Sequence, residues 1–524
     1  MSGQLYVDWR ASLSLVGTVV KWLSVPMLFP LAVGVYYGDG GIPVFLTAIA
    51  VTFTTGWLLE RLDADPDLGT REGFLMVSST WLAVTVVGAI PYVLEGHGVP
   101  FLFAAESPAS TLADPVNAVF ETMSGFTTTG ATVMGSISFD AHSRAVMMWR
   151  QQTQWLGGMG IVVLAVAILP KLSVGGAQLM DAEAPGPGLE KLTPRIAETA
   201  RALWGIYIGL TALEIVLLYA LHVLGYAPNM TFYNAVAHGF TTMPTGGFSP
   251  EARSIEAFSA VVQWLIVPFM LFAGVNFALF WHAITGDWRH ALRDAELRFF
   301  AGAFAAGTAV LTVLLFTDSG LVNVENVGRI AGAVEPSLRY ATFQMASIVT
   351  TTGYANMDFN AWGAPAQYVL LAAMFFGGSA GSTAGAVKAV RWLVILKSLR
   401  RELFTTVHPE AIRPIRLAGR VLDESTVRGI YAFTLLYFVI FAAATLLVFL
   451  LGATTDGPLT FLEASSAVAA TLGNVGPGFG IVGPMNSYLP FPDASKLLMV
   501  ALMWTGRLEI FPLFVLLTRS YWTD

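Results

Sequence analysis

Residues 115–126 read Pro-Val-Asn-Ala-Val-Phe-Glu-Thr-Met-Ser-Gly-Phe and run directly into Thr127-Thr128-Thr129-Gly130-Ala131-Thr132. The first part is apolar and about 12 residues long, whereas about 20 are needed to cross the hydrocarbon core of a bilayer. Asp114-Pro115 ahead of it is a helix-start signal, proline being suited to a first helical turn. The stretch therefore predicts a half-helix that ends in a small-residue turn. An amphipathic helix lying on the membrane surface is the plain alternative for one such segment taken alone.

Three further segments share the pattern. Apolar stretches near 230–241, 336–349 and 459–471 lead into Met243-Pro244-Thr245-Gly246-Gly247-Phe248, Thr350-Thr351-Thr352-Gly353-Tyr354 and Gly473-Asn474-Val475-Gly476-Pro477-Gly478. Start signals recur at Glu335-Pro336 and at Asp456 with Pro458. Aligned on the fourth position of each turn, the glycines fall at 130, 246, 353 and 476, at intervals of 116, 107 and 123 residues. Periodicity on that scale marks a repeated structural unit, here span, half-helix, turn, span. Non-helical backbone at membrane depth is tolerated only where it is buried or lines a wet cavity. Glycine suits such a turn because positive φ costs it no Cβ clash. Four turns around one axis would present rings of carbonyl oxygens that replace the hydration shell of a monovalent cation. The C-terminal ends of the half-helices, worth roughly half a negative charge each, favour a cation over an anion. One glycine in a membrane helix is more often a packing residue; four copies, each after a short apolar helix, point to a pore.

The rest of the chain supplies the spans. Of its 524 residues 55% are hydrophobic and only 12% charged, about half the charge of an ordinary soluble protein. A single soluble domain is excluded. Uncharged or nearly uncharged runs recur at 12–37, 41–59, 73–94, 147–170, 202–224, 257–284, 299–317, 365–392, 429–452 and 497–518. These predict about ten membrane crossings, helical because lipid offers backbone groups no other partner. The first run holds Lys21 and Pro26 and no convincing cleavage site, so it reads as a retained span. The expected fold is thus an all-α polytopic membrane protein: an N-terminal two-helix extension (1–66) and pore repeats at 67–180, 190–290, 291–405 and 420–524. The net charge of −7 recommends no nucleic-acid partner, and the absence of cysteine removes disulfides, thiolate metal sites and cysteine nucleophiles.

Orientation follows from counting Lys and Arg in the connections. With a cytoplasmic N-terminus, the inside connections hold Arg61, Arg71, Lys171, Lys191, Arg195, Arg201, Arg289, Arg293 and Arg298, then Arg391, Lys397, Arg400, Arg401, Arg413, Arg416, Arg420 and Arg428. The outside connections hold only Arg144, Arg150, Arg253, Arg329, Arg339 and Lys496. Both termini are then cytoplasmic.

Two further features carry chemistry. The stretch Gly377-Gly378-Ser379-Ala380-Gly381-Ser382-Thr383-Ala384-Gly385 interrupts the eighth span. Glycine costs up to ~1 kcal/mol in a helix interior, so a break is expected there. Close packing of small residues is one rival reading. A phosphate-cradling loop is another, against which the missing Gly-Lys-Ser/Thr and the lack of a preceding strand both speak. Arg507 lies near the middle of the last run, where a charge is costly and faces a partner or a wet path. The partner could be Glu214 or a backbone carbonyl. Glu509, two residues on, should not share its face. Lys388 lies nearer the inner boundary, where snorkelling explains it equally well. The seven histidines form no metal-ligand or catalytic spacing, and no nucleophile elbow appears, so an enzyme is a poor fit.

The four turns, Gln154-Trp155-Leu156-Gly157-Gly158-Met159-Gly160 running into Ile168-Leu169-Pro170, and the Gly377–Gly385 stretch with Lys388 together resemble the Trk/Ktr/HKT superfamily of potassium transporters. The match covers about 72–520, and the two additional N-terminal spans make the chain more similar to the TrkH/TrkG branch than to the shorter KtrB branch. The resemblance implies potassium as the transported ion, one pathway per subunit, a homodimer in the bacterial inner membrane and a cytoplasmic nucleotide-binding regulatory ring of TrkA type. Carried over, the selectivity filter would comprise Gly130, Gly246, Gly353 and Gly476 with carbonyls of Thr128, Thr129, Pro244, Thr245, Thr351, Thr352, Asn474 and Val475. A serine in place of the first glycine goes with sodium permeation in the superfamily, so Gly130 implies potassium selectivity. Gly377, Gly378, Ser379, Gly381, Ser382, Thr383 and Gly385, with Lys388, would form or flank an intramembrane gate, and Arg507 would face the pathway below the filter. Pro244 and the fourth turn depart from the pattern. The basic connections at 285–298 and 388–428 would dock the regulatory subunit. A sodium- or proton-coupled symporter of the same fold remains the alternative.

Overall fold

A computed structural model describes residues 7–63, 69–99, 110–168, 196–321, 330–417, 420–452 and 457–523. Lys171, Lys191, Arg195, Arg329 and Asp456 lie outside them. Helices dominate, and the sole regular sheet among the described residues is a hairpin pairing Arg416–Leu417 with Arg420–Val421.

The N-terminal helices Trp9–Leu23, Leu28–Tyr37 and Gly41–Glu60 pack through small residues. A β-carbon on Gly17 or Gly56 would overlap the backbone of the facing helix, the close approach that small residues permit in membranes. Asp39 then ties this unit to the next, its carboxylate accepting from the amides of Arg144 (2.7 Å) and Ala145.

All four short apolar segments are helices: Pro115–Phe126, Phe232–Thr242, Val334–Val349 and Phe461–Leu472. Three of the four starts are capped by local side chains, the third, at Ala333, having none. Asp114 caps the first by accepting from Val116 and Asn117, Thr231 caps the second, and Thr460 with Glu463 forms a full capping box on the fourth. Each is preceded by a long helix: Thr70–Gly88 continued by Ile90–His97, then Ile196–Val223, Ala295–Phe316 and Glu424–Leu450.

The helices that follow differ from the expected continuous crossings. Only Arg144–Ile168 is unbroken. The run 257–284 is two helices, Ala260–Ala273 and Phe277–Ile284, bent by 98°. The run 365–392 stops at Ala373 and resumes as Ala389–Val407, as the small-residue stretch predicts. The run 497–518 ends its first helix at Arg507, and Glu509 and Ile510 take positive φ before Phe511–Leu516. Six described helices are therefore long and apolar enough to cross a membrane, seven with the bent pair, against the ten runs in the sequence. The breaks interlock. The carbonyls of Ala273 and Gly274, freed at the bend, accept from the amides of Thr383 (3.3 Å) and Ser379 (2.8 Å), while the Phe277 amide donates to Gly381 (3.2 Å).

Three charges assigned to connections are buried instead. Arg150, on the Arg144–Ile168 helix, pairs at 2.7 Å with Glu121 of the first half-helix, the side chains being 2% and 0% exposed. Arg391 pairs with Glu509 across the last break and stacks on Phe433. Lys496 is buried beside Asp493. Removing one member of the Arg150–Glu121 or Arg391–Glu509 pair leaves an uncompensated buried charge, which costs about 3–5 kcal/mol.

Candidate functional site

The four half-helices end alike. In each, one residue enters the left-handed region and its amide bonds three residues back, while the next amide bonds five residues back. Thr128 donates to Gly125 and Thr129 to Ser124; Thr245 to Thr242 and Gly246 to Thr241; Thr351 to Ile348 and Thr352 to Ser347; Asn474 to Thr471 and Val475 to Ala470. This is the Schellman helix end, whose left-handed position is normally glycine. Here it holds Thr128, Thr245, Thr351 and Asn474, with φ of 54°, 57°, 57° and 52°. Left-handed backbone costs an ordinary residue about 1–3 kcal/mol and persists only where its surroundings over-determine it.

Two residues further on, a glycine at positive φ returns in every turn: Gly130, Gly247, Gly353 and Gly476. The structural register thus differs from the sequence alignment in the second turn. Gly247, not Gly246, is equivalent to Gly130, Gly353 and Gly476; Gly246 occupies the place of Thr129, and Pro244 that of Thr127. Pro244 lacks the amide that Thr127, Thr350 and Gly473 donate to the end of their half-helices, so its turn closes without that bond. Adjacent glycines in Gly246-Gly247 leave the sequence no signal for which takes positive φ.

The turns touch in cyclic order. A β-carbon on Gly130 would overlap the Gly246 carbonyl oxygen, one on Gly247 that of Thr352, one on Gly353 that of Val475, and one on Gly476 would sit 2.6 Å from that of Thr129. Across the ring, a β-carbon on Gly130 would sit 3.8 Å from the Thr352 carbonyl oxygen. The four glycines line one opening, walled further by Arg150, Glu251 and Tyr488. Among the described residues no group of three or more His, Asp or Glu could hold a metal ion. The oxygens gathered at this ring belong to the backbone.

Side chains fix the turns from behind. Gln154 donates to the Gly246 carbonyl (2.7 Å) and accepts from the Phe248 amide (3.0 Å). The Tyr488 hydroxyl donates to the Gly476 carbonyl (2.8 Å). Asn474 donates to Thr129 Oγ1 (2.9 Å) and to the Met503 carbonyl. Threonine hydroxyls pair within the first turn (Thr127 with Thr129, 2.8 Å) and the third (Thr350 with Thr352, 2.7 Å). Gln154 lies in a stretch notable in the sequence for its glycines; nothing local marks it as the support of a turn 92 residues on, or Tyr488 as that of the turn 12 residues before it.

The Gly377–Gly385 segment sits against the ends of three of the four half-helices. Thr383 Oγ1 donates to the Met243 carbonyl (3.0 Å), the Gly385 amide to Thr351 Oγ1 (2.7 Å) and the Ala386 amide to the Gly473 carbonyl (2.9 Å). A β-carbon on Gly385 would overlap the Gly473 carbonyl oxygen. Gly377 and Gly378 close the neck of the segment on Val387 and Ala389, and Ser382 donates to Ser379 within it. The Lys388 ammonium bonds the Ala384 carbonyl. Arg507, 7% exposed, donates to the carbonyls of Thr383 (2.8 Å), Gly157 (3.2 Å) and Gly158 (3.3 Å). Its charge is thus met by backbone carbonyls of the broken segment and of the first repeat. Glu509 faces elsewhere, toward Arg391.

Comparison with known proteins agrees with this architecture. Residues 41–522 match the family TrkH, Cation transport protein. The chain is 37% identical to the Trk system potassium uptake protein TrkH of Halomonas elongata, over 98% of this chain and 99% of that one. To the Escherichia coli protein of the same description it is 35% identical, over 99% and 100%. The crystal structure of the potassium transporter TrkH from Vibrio parahaemolyticus superposes with a TM-score of 0.81 at 33% identity, covering 98% of this chain and 100% of that one. Spans, half-helices and full-length similarity converge: the chain belongs to the TrkH family of cation transport proteins, a family of membrane transporters and not of enzymes.

Proposed function

We propose that this protein takes up potassium across the bacterial inner membrane through a pore formed where its four turns meet. The observation that carries the reading is the closed ring Gly130–Gly246, Gly247–Thr352, Gly353–Val475 and Gly476–Thr129, supported by the potassium uptake function that the relatives' names state. The repeats are 67–180, 190–290, 291–405 and 420–524, after the extension 1–66, with both termini cytoplasmic. The filter comprises Thr128, Thr129 and Gly130; Thr245, Gly246 and Gly247; Thr351, Thr352 and Gly353; and Asn474, Val475 and Gly476. Potassium is cargo here. It sheds water as backbone carbonyls replace its shell, and the half-helix C-terminal ends lower its energy at the centre. Inward movement is favoured by about 2.3 kcal/mol per charge per 100 mV.

Beneath the filter the Gly377–Gly385 segment is the gate, held shut by its bonds to Met243, Thr351, Gly473 and Arg507. The Arg507 guanidinium adds an electrostatic barrier there until the segment moves. The protein works as a homodimer, and basic connections at 285–298 and 388–428 dock a cytoplasmic TrkA-type nucleotide-binding subunit that moves the gate. Gly247→Arg tests the filter. It should abolish growth of an uptake-deficient host on limiting potassium while the protein still reaches the membrane, and normal rescue would refute the assignment. Deleting 378–384 tests the gate: rubidium flux into proteoliposomes should rise without any partner, and unchanged flux removes the gating role. Imposed proton and sodium gradients in the same vesicles separate uniport from coupled transport.

A further inference from the structure

The gate segment is held from one more side, by a residue that neither the repeat pattern nor the charge count singles out. Glu296 is in the first turn of Ala295–Phe316, the first long helix of the third repeat. One of its carboxylate oxygens, Oε1, accepts from two backbone amides: Ala380 in the middle of the gate segment (2.8 Å) and Val390 in the first turn of Ala389–Val407 (3.1 Å). The residue at the cap of that helix is Lys388, which makes no side-chain cap bond and is itself turned to the Ala384 carbonyl. Glu296 therefore supplies, from another element, the acceptor that the start of Ala389–Val407 lacks.

We infer that Glu296 is a positioning residue that latches the gate segment closed and couples it to the cytoplasmic connection 285–298; this rests on the gating reading above. The geometry gives the coupling a short path. Asp294 caps Ala295–Phe316 by accepting from Leu297 (2.7 Å), and the helix Trp288–Arg293 lies immediately before it. A displacement of that connection moves the foot of the long helix, and with it the carboxylate that grips Ala380. Arg507 holds Thr383 from the fourth repeat while Glu296 holds Ala380 from the third. Only the second grip is continuous in sequence with a cytoplasmic connection.

The absence of cysteine from the chain makes the latch directly testable. In proteoliposomes without any partner, Glu296→Ala should raise rubidium flux about tenfold, the effect expected when two hydrogen bonds that favour one of two states are lost. Glu296→Gln, which keeps an acceptor oxygen, should stay within about threefold of the parent. In the same protein, Ser382→Cys should be modified by a thiol reagent about tenfold faster once Glu296→Ala is present, whereas Ser14→Cys, buried in the Trp9–Leu23 helix away from the gate segment, should not change. Unchanged or reduced flux with unchanged labelling at 382 overturns the latch; a general loss of packing would speed labelling at both positions and overturns it too. The 378–384 deletion separates the two ideas. If the deletion raises flux and Glu296→Ala does not, the gate stands and the latch falls; if neither raises flux, the gating reading itself has failed.

Discussion

The first and third turns reach the same backbone geometry as the second and fourth by a different route. Thr127-Thr128-Thr129-Gly130 and Thr350-Thr351-Thr352-Gly353 carry their own support, a hydroxyl pair that spans the left-handed residue in each. Pro244-Thr245-Gly246-Gly247 and Gly473-Asn474-Val475-Gly476 have no such pair and are held by Gln154, Tyr488 and contacts of the Asn474 amide. Strained backbone can thus be stabilised by neighbours in sequence or by neighbours in space, and only the first kind leaves a motif. It is the reason two turns look alike as strings and two do not, although all four form one ring.

The comparison can be broken at several points. The largest effect is expected where geometry is common to all turns: Gly353→Ala and Gly247→Ala should each lower rubidium flux in proteoliposomes by more than about a hundredfold, because a β-carbon overlaps a neighbouring carbonyl and positive φ is lost as an easy conformation. Equal flux for Gly247→Ala and the parent would return the second turn to the register centred on Gly246.

Next comes the tertiary support. Gln154→Leu strands the Gly246 carbonyl and the Phe248 amide, at about 1–3 kcal/mol for each unsatisfied group, and should cut flux by about tenfold or more while weakening discrimination against sodium. Competition of sodium against rubidium uptake reads this directly. Tyr488→Phe removes one bond, that to the Gly476 carbonyl, worth about 1 kcal/mol, and should cost about fivefold. The smallest change is expected of Thr352→Val, whose hydroxyl pairs only within its own turn; about twofold is anticipated, since one net hydrogen bond is worth about 0.5–1.5 kcal/mol. If Thr352→Val proved as damaging as Gln154→Leu, local and tertiary support would not differ in the way the geometry describes.

Much of the site is legible in the chain because it is built from local rules. The first half-helix starts where Asp114-Pro115 marks it, and the break at Gly377–Gly385 follows from the run of small residues. The sequence pattern does not single out the caps Thr231 and Thr460, and the third half-helix starts at Val334 with no side-chain cap. Arg507 is marked by its depth in an apolar run. The bend between Ala273 and Phe277 and the break after Arg507 are not legible. Hydropathy alone cannot distinguish a straight apolar helix from two pieces whose freed carbonyls and amides bond a neighbour. Arg150 and Arg391 mislead for a related reason: charge counting places them near membrane boundaries, while their partners Glu121 and Glu509 arrive only through folding.

Composition and apolar length determined that this chain is a helical membrane protein, and the recurring strings placed four short apolar helices that each end in a small-residue turn, because apolar length and turn residues are properties of adjacent positions. Tertiary structure alone decided that Gly247 and not Gly246 completes the ring, that Gln154 and Tyr488 hold it, and that Arg507 and Glu296 grip the same loop from two sides. Apart from the Tyr488–Gly476 bond, which spans 12 residues, those outcomes depend on groups roughly 80 to 120 residues apart, and a linear pattern carries no record of which distant donor will meet which carbonyl.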